Sequence, residues 1–225
     1  IPIDFMALEL TCYLAGEAVQ SDSRLEVRNP YNGELVGTVG RVNRSDTERA
    51  IEQALLFDKP LTRYERSQVL TRAAQKLEER REEFAHLITS EAGLCLRETR
   101  YEVGRASDVL RFAAVEALHD DGEIFSCDVS PQGKARKIFT LREPLRLIAA
   151  ITPFNHPLNQ VVHKVAPAVA AGAPVILKPS ARVPLTAIRL VELLYESGLP
   201  GRMLSVLLGP SEDVADILVR DPRVD

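Results

Sequence analysis

Two short apolar segments, each followed by a polar residue and a proline, most constrain the fold of this chain. Residues 148–151 read Ile-Ala-Ala-Ile before Thr152-Pro153, and residues 175–177 read Val-Ile-Leu before Lys178-Pro179. The stretch between them is apolar and long enough for a helix, so together they predict a β-α-β unit. The strands of such a unit run parallel, and open α/β sheets bind ligands at the carboxyl ends of their strands. We therefore expect Lys178 and Asn155 to face one cleft.

The C-terminal part of the chain repeats this alternation. We predict strands at 147–152, 174–178 and 203–207, with helices at 157–172, at 184–197 and from about Asp213 to Val219. Strands that alternate with helices are typical of a doubly wound parallel sheet, so the predicted fold class is α/β. The sequence has no G-x-G-x-x-G turn, so the usual dinucleotide fingerprint does not apply.

The N-terminal part mixes short β-type runs with long helices. The β-type runs are 10–14, 25–28 and 35–39, and the predicted helices begin at Ser45 or Asp46, span 66–89 before the terminating Gly93, and span 97–117. Between the two parts, residues 125–143 hold two β-like runs around Ser130-Pro131-Gln132-Gly133, which predict a hairpin. The alternative is a surface hairpin without a partner, although isolated hairpins are only marginally stable in water.

Composition and charge argue against several classes of function. The net charge is −4 without a basic block, which disfavours nucleic-acid binding, and the apolar stretch 165–177 is too short and too interrupted to span a bilayer. The N-terminus has no secretion-signal pattern. Cys12, Cys95 and Cys127 lack metal-ligand spacing and predict ordinary thiols in a reducing compartment. We therefore expect a cytoplasmic protein with no metal site and no membrane partner.

Several motifs, taken in order, resemble the aldehyde dehydrogenase superfamily. Residues 152–159 read T-P-F-N-H-P-L-N and residues 175–180 read V-I-L-K-P-S, at about the separation that the family shows. Residues 29–34, N-P-Y-N-G-E, are similar to the family's early N-P-x-T-G-E turn. The helical run 66–114 is similar to its R-x-x-x-L-x-x-A block, and Pro200-Gly201 to its L-P-x-G-V turn. The likeness covers nearly the whole chain, which makes it more specific than any single motif.

The resemblance implies that this chain is the N-terminal half of a longer enzyme. Residues 1–124 would form the first part of a Rossmann-like cofactor-binding domain, 125–143 an oligomerisation hairpin, and 144–225 the nucleotide-binding core. The hairpin would join a homodimer or homotetramer. In the family, the catalytic domain with its nucleophilic cysteine and general-base glutamate comes later, so we expect both beyond residue 225 and no turnover by this chain alone.

The resemblance also assigns residues of the predicted cleft. The Asn155 amide would hold the substrate carbonyl oxygen and then the oxyanion, whereas spacing alone equally allows an Asn that caps the following helix. Lys178 would contact the adenine ribose, whereas without the family it could be a charge at a strand end. The predicted cofactor contacts are Ile151, Thr152, Pro153, Phe154, Lys178, Ser180, Ala181, Arg182, Gly209 and Ser211.

Ala181 leaves the choice of cofactor open. The family commonly has a glutamate here that binds the ribose hydroxyls, and that carboxylate would repel a 2′-phosphate. Its absence, together with the neighbouring Arg182, makes room for such a phosphate. We predict NAD, with NADP as the alternative. Near Gly209, the small Ser211 and Ala215 stand where the family has further glycines close to the pyrophosphate.

Arg105 and His156 point to the substrate. His156 follows the expected oxyanion donor, and Arg105 lies on the helix whose family counterpart forms a wall of the substrate tunnel. If both face the tunnel, they suit a phosphonate, a phosphate or a carboxylate. The alternatives are a surface ion pair of Arg105 with Glu102 or Asp108, and a packed neutral imidazole.

The predicted activity is NAD(P)-dependent oxidation of a small anionic aldehyde to its acid through a cysteine thiohemiacetal. Phosphonoacetaldehyde, oxidised to phosphonoacetate, is the preferred substrate. Lactaldehyde, glycolaldehyde, glyceraldehyde 3-phosphate and succinate semialdehyde are the alternatives. Two other classes stay open: a non-catalytic binding or structural protein of the same fold, and an acyl-phosphate reductase that works toward the aldehyde.

Overall fold

The computed structural model describes residues 7–119 and 122–225; residues 1–6 and 120–121 of the predicted N-terminal part lie outside this description. The strands are β1 (Leu8–Leu10), β2 (Tyr13–Leu14), β3 (Glu17–Ala18), β4 (Arg24–Arg28), β5 (Leu35–Gly40), β6 (Ile124–Ser126), β7 (Lys137–Phe139), β8 (Ile148–Ile151), β9 (Val175–Lys178) and β10 (Leu204–Val206). The helices are α1 (Arg44–Leu55), α2 (Arg63–Glu79), α3 (Arg81–Ala92), α4 (Leu96–Glu116), α5 (Asn159–Ala171), α6 (Pro184–Glu196) and α7 (Ala215–Arg220).

Parallel strands form the centre of the main sheet, as predicted. This sheet has the strand order β3-β2-β10-β9-β8, and β8, β9 and β10 are parallel. Ile151 pairs with Lys178, so the carboxyl ends of β8 and β9 lie side by side. The apolar residues 175–177 are fully buried, because helices cover a central parallel strand on both faces. Strands β2 and β3 add an antiparallel edge that the sequence pattern did not predict.

The predicted single strand at 10–14 is wrong, because the chain changes sheets there. β1 pairs with β5 in a second sheet of order β1-β5-β4, whereas β2 joins the main sheet beside β10. Cys12 lies at the crossing and is fully buried. Its Sγ accepts a hydrogen bond from the Leu208 N–H at 3.0 Å and donates to the Gly40 carbonyl oxygen at 3.2 Å, so the thiol links the two sheets.

The predicted helix at 66–89 is in fact two helices. α2 ends at Glu79 and α3 begins at Arg81, while Arg80 between them leaves the helical conformation, with φ −99° and ψ 20°. α2 packs against α4, α5 and α6, and α3 packs against α4 and α6. Neither glycine nor proline marks the junction and the periodic pattern runs through it, so the sequence pattern did not reveal the break.

Other boundaries move by one or two residues. α1 begins at Arg44 because Asn43 is its cap: the Asn43 side chain accepts the Asp46 N–H, and the Asp46 carboxylate accepts the Asn43 N–H. α7 begins at Ala215 rather than near Asp213, after a turn. Within residues 7–119 and 122–225, no helix has both the length and the apolar character that crossing a membrane requires.

The predicted hairpin is present. β6 and β7 pair antiparallel, with Ile124 opposite Phe139, and a 3-10 turn at Pro131–Gly133 lies between them. Its apolar side chains are unusually open to solvent, with Ile124 90% and Phe139 67% exposed. Nothing in the described part of the chain covers these side chains, which marks the hairpin as a surface suited to a partner.

Two buried carboxylates cap the helices that follow β8 and β9. The Glu102 side chain from α4 accepts the backbone N–H groups of Leu158 and Asn159 at 2.9 Å. The Glu91 side chain from α3 accepts those of Leu185 and Thr186, also at 2.9 Å. Neither α5 nor α6 has a side-chain cap of its own. These contacts satisfy the first amides of each helix and fix where each helix begins.

Burial dominates the protonation of Glu91. It raises the pKa of the Glu91 carboxyl from 4.5 to about 7, although hydrogen bonds from Thr186 and Leu185 oppose the shift; the charge of Glu102 adds to it. The folded protein therefore retains a proton that the unfolded chain releases between these two pKa values. Unfolding in this window releases a proton, so the contribution of Glu91 to the free energy of unfolding falls as the pH rises.

Replacing Glu91 with glutamine should remove this pH dependence. At about 1.4 kcal/mol per pKa unit, the difference in unfolding free energy between wild type and Glu91→Gln should shift by about 2–3 kcal/mol between about pH 5 and pH 8, to the disadvantage of wild type. Urea unfolding of the full-length protein across this range measures it. Glu79→Gln, at an exposed position on α2, is the control and should show a constant difference. A constant difference for Glu91→Gln as well would contradict the assigned pKa.

Candidate active site

The carboxyl edge of the main sheet brings together the loops that hold most of the predicted site residues. The loops 152–158, 179–183 and 207–214 follow β8, β9 and β10. Of the predicted cofactor contacts in the first loop, Ile151 and Pro153 are exposed, whereas Thr152 is buried and its N–H donates to the Lys178 carbonyl oxygen at 3.2 Å. Thr152 is therefore largely withdrawn from a ligand at this edge.

The Asn155 side chain is exposed in the first loop and does not cap α5. The first amides of α5 donate to Glu102, so the helix-capping alternative for Asn155 is wrong. Within residues 7–119 and 122–225, the Asn155 amide makes no hydrogen bond. An amide that no protein group uses, placed at the ligand-binding edge of a parallel sheet, is free to donate to a substrate oxygen.

Lys178 ends β9 with a half-buried side chain. Burial lowers the pKa of its ammonium group. Its ammonium has no carboxylate partner in the described part of the chain. Lys178 is thus an unpaired and partly desolvated charge at a strand end. Titratable groups that are partly buried, unpaired and located at a cleft are characteristic of ligand sites.

Arg182 packs against the first loop. The Arg182 guanidinium carbon lies 4.8 Å from the centre of the Phe154 ring, which is a cation–π contact. The backbone N–H of Arg182 donates to the Ser180 hydroxyl at 3.3 Å. Ala181 between them is exposed. The β8 and β9 loops are thereby joined across the cleft edge, with the Arg182 charge held beside Ala181.

The third loop is less specific for a ligand. A side chain at Gly209 would lie 2.5 Å from the Val42 carbonyl oxygen, so internal packing is a sufficient reason for glycine there. Ser211 is exposed in the turn before α7 and its carbonyl oxygen accepts the Asp216 N–H. The cofactor assignment of these two residues stays a prediction.

Arg105 forms neither of the ion pairs considered for it. The Asp108 carboxylate pairs with Arg111 at 3.2 Å, and Glu102 faces α5 and His156. Arg105 is exposed one turn after Glu102 on the same helix. The Arg105 guanidinium therefore has no ion-pair partner among the described residues.

His156 is not a packed core residue. Its side chain is 54% exposed, and its Nδ1 lies 3.5 Å from the Oε2 atom of Glu102, which is only 3% exposed. That distance meets an ion-pair limit but is long for a hydrogen bond, and Oε2 accepts none in the described part of the chain. The sequence showed Glu102 only as a possible partner of Arg105, so its role beside the loop was missed.

The cysteines offer no nucleophile at this edge. Burial raises the pKa of the Cys12 thiol to about 12, which disfavours the thiolate. Cys95 is exposed just before α4, and Cys127 is partly exposed in the hairpin. Within the described residues, no cysteine lies on the loops 152–158, 179–183 and 207–214 at this edge.

The sequence profile described as the aldehyde dehydrogenase family matches residues 18–225. The chain is 37% identical over 214 residues to 3-sulfolactaldehyde dehydrogenase of Priestia aryabhattai, which covers 95% of this chain and 45% of that protein. The chain thus spans a little under half the length of this curated relative.

Solved structures show the same fold. Aldehyde dehydrogenase 21 from Physcomitrella patens, in complex with the reaction product succinate, superposes with a TM-score of 0.91 at 33% identity, over 98% of this chain and 47% of that one. Betaine aldehyde dehydrogenase from Staphylococcus aureus, in complex with NAD⁺, gives 0.89 at 33% identity, over 96% and 43%.

Proposed function

The chain belongs to the aldehyde dehydrogenase family, and from that premise we propose that the full-length protein oxidises a small anionic aldehyde to its acid with NAD or NADP. The observation that carries the proposal is a pair of polar groups at one sheet edge, Asn155 and Lys178, whose side chains have no partner among the described residues. Polar groups that the protein leaves unused in a cleft are suited to a ligand.

The proposed chemistry places Asn155 at the reacting carbonyl. When the expected cysteine, beyond residue 225, adds to the aldehyde, negative charge develops on the carbonyl oxygen, and the Asn155 amide donates a hydrogen bond to it. The bound nicotinamide supplies the acceptor for the hydride. Because Glu102 accepts the first amides of α5, the Asn155 side chain is not needed as a helix cap and stays free for this role.

Arg105 and His156, rather than family membership, support an anionic substrate. The related proteins are named for aldehydes of opposite charge: betaine aldehyde carries a quaternary ammonium, whereas 3-sulfolactaldehyde carries a sulfonate. The structure with succinate holds a carboxylate product. The His156 imidazole next to Asn155, and the unpaired Arg105 guanidinium on α4 if it reaches the substrate as proposed, favour the anionic group. Phosphonoacetaldehyde is the first substrate to test, followed by aldehydes that bear a sulfonate or a carboxylate.

For the cofactor, Lys178 would bind the adenine ribose, and the exposed Ala181 leaves space beside the ribose hydroxyls. The Staphylococcus aureus relative holds NAD⁺. Arg182 is held over Phe154, close to where a 2′-phosphate would lie, so NADP stays a candidate. The residues present fit a dinucleotide at this edge.

We also assign assembly to the hairpin 124–139. Its exposed apolar side chains suit a homodimer or homotetramer interface, because an isolated two-stranded ribbon gains little stability alone.

Asn155→Ala should lower kcat of the full-length enzyme by roughly 10²–10³, because the lost donor acts on the developing oxyanion. Affinity for NAD(P), measured by titration of fluorescence, should barely change. Stopped-flow measurement of the hydride step shows whether chemistry limits the rate. If chemistry limits the rate and kcat is unchanged, Asn155 is not the oxyanion donor.

Ala181→Glu should shift cofactor preference toward NAD, because a carboxylate there would repel the 2′-phosphate. Ala181→Gln, of the same length without the charge, is the matched control and should leave the NAD-to-NADP ratio of Kd values nearly constant. Equal NAD-to-NADP ratios for the glutamate and glutamine variants would show that position 181 does not face the ribose.

Lys178→Ala should weaken the binding of NAD and of NADP more than the binding of the aldehyde.

Arg105→Ala should reduce kcat/KM at least tenfold for an anionic aldehyde and leave propanal nearly unaffected. Loss of a desolvated charge contact costs about 2–5 kcal/mol, whereas an exposed helix ion pair contributes under about 1 kcal/mol. Arg111→Ala, on the same helix and paired with Asp108 at 3.2 Å, is the control. His156→Ala should follow Arg105→Ala more weakly. Equal losses on both aldehydes would leave a general aldehyde dehydrogenase without charge selection.

A further inference from the structure

The Glu102 carboxylate contacts two parts of the loop that carries Asn155. Its Oε1 accepts the N–H groups of Leu158 and Asn159, each at 2.9 Å. Its Oε2 lies 3.5 Å from Nδ1 of His156, is buried, and accepts no hydrogen bond in the described part of the chain. One side chain from α4 therefore reaches the loop on both sides of its turn.

The second oxygen of Glu102 lacks a donor, and the imidazole of His156 is positioned to supply one. A buried carboxylate oxygen is costly when it accepts nothing. Because the His156 ring is more than half exposed, a small rotation can shorten the 3.5 Å contact to a hydrogen bond. A neutral imidazole carries its proton on one of its two ring nitrogens. A hydrogen-bond acceptor beside one nitrogen favours the tautomer with the proton on that nitrogen.

We propose that Glu102 is a positioning residue that holds the Nδ1–H tautomer of His156 and turns Nε2 toward the cleft. Nε2 is then the ring nitrogen that a substrate meets. An anionic substrate binds best after Nε2 takes up one proton, and the Glu102 carboxylate on the other side of the ring balances the resulting charge. This last consequence rests on the proposed function; the tautomer itself does not.

Two further charged groups matter for the contact between Glu102 and His156, one on α4 and one on α3. Arg105 lies one turn further along α4, and Glu91 on α3 is close enough to interact electrostatically with Glu102. Glu91 caps α6 just as Glu102 caps α5, but each of its oxygens accepts one amide and no histidine ion pair involves it within the described residues. Glu91 is therefore a natural control for a purely structural role.

Substitution by glutamine gives opposite expectations at the two positions. At position 102, the two amide donors require the carbonyl oxygen of the introduced glutamine in place of Oε1, so its NH₂ group faces Nδ1 of His156. An NH₂ donor needs a bare Nδ1 and so selects the Nε2–H tautomer. Glu91→Gln loses one of its two cap hydrogen bonds but leaves the surroundings of His156 unchanged.

The test is the tautomer of His156 in full-length protein labelled with ¹⁵N histidine. Comparison with His156→Gln identifies the signal of His156 among those of the other histidines. At about pH 8.5, where an ordinary imidazole is neutral, long-range ¹H–¹⁵N correlation distinguishes protonated from bare ring nitrogens. We expect mostly Nδ1–H in wild type and in Glu91→Gln, and mostly Nε2–H in Glu102→Gln. Identical tautomer populations in wild type and Glu102→Gln would overturn the inference.

A kinetic measurement separates this inference from the proposed function. At about pH 8.5, Glu102→Gln should lower KM for succinate semialdehyde several-fold relative to wild type, because Nε2 of His156 then presents an N–H to the substrate carboxylate. KM for propanal should not change in this variant, and Glu91→Gln should leave both KM values near those of wild type. If the tautomer reverses in Glu102→Gln but both KM values stay at the wild-type level, Glu102 positions His156 and the anionic-substrate proposal fails.

Discussion

The geometry of the cleft depends on two buried carboxylates at the starts of two helices. Each helix start exposes amide groups that need acceptors, and α5 and α6 contain no side-chain cap of their own. Glu102 and Glu91 reach in from α4 and α3 to supply them. Removing a carboxylate from water costs several kcal/mol, which charge-assisted hydrogen bonds and the positive end of the helix offset only in part, as the raised pKa of Glu91 shows. α4 and α3 therefore fix the starts of α5 and α6, and with them the ends of the loops that follow β8 and β9.

This arrangement explains why some features could be read from the sequence and others could not. The unbroken apolar run of β9 has one cause, burial on both faces, and it was identified correctly. The family and the α/β fold class are also confirmed. Both were predictable because the motifs and the alternation of strands and helices are local patterns that follow one another in order along the chain. The segment 10–14 was misread because partners distant in sequence, β5 and β10, draw its two halves into different sheets. The helix 66–89 was misread because no residue type at Arg80 indicates the break there.

The candidate site shows the same division. Asn155 and Lys178 follow strand ends, which spacing reveals, and their roles stay predictions. The capping alternative for Asn155 could be excluded only because the structure shows that Glu102 accepts the first α5 amides. Glu102 lies 56 positions before Leu158, the first of these donors. Glu91 contacts its helix across 94 positions. No periodicity in one sequence indicates contacts of that kind, because burial of the carboxylates arises from tertiary packing.

The crossing at Cys12 has a consequence for how the chain reaches this structure. Leu208, which donates to the Cys12 thiol, lies 196 positions later, and β2 pairs with β10 over a similar separation. During synthesis on the ribosome, β2 must therefore wait for its partner β10 until almost all of the chain described here has emerged, although β1 and β2 can already pair with β5 and β3. Such distant pairings slow folding and leave strand edges open to wrong partners in the interval. The N-terminal segment is thus the place where a molecular chaperone would have most to protect.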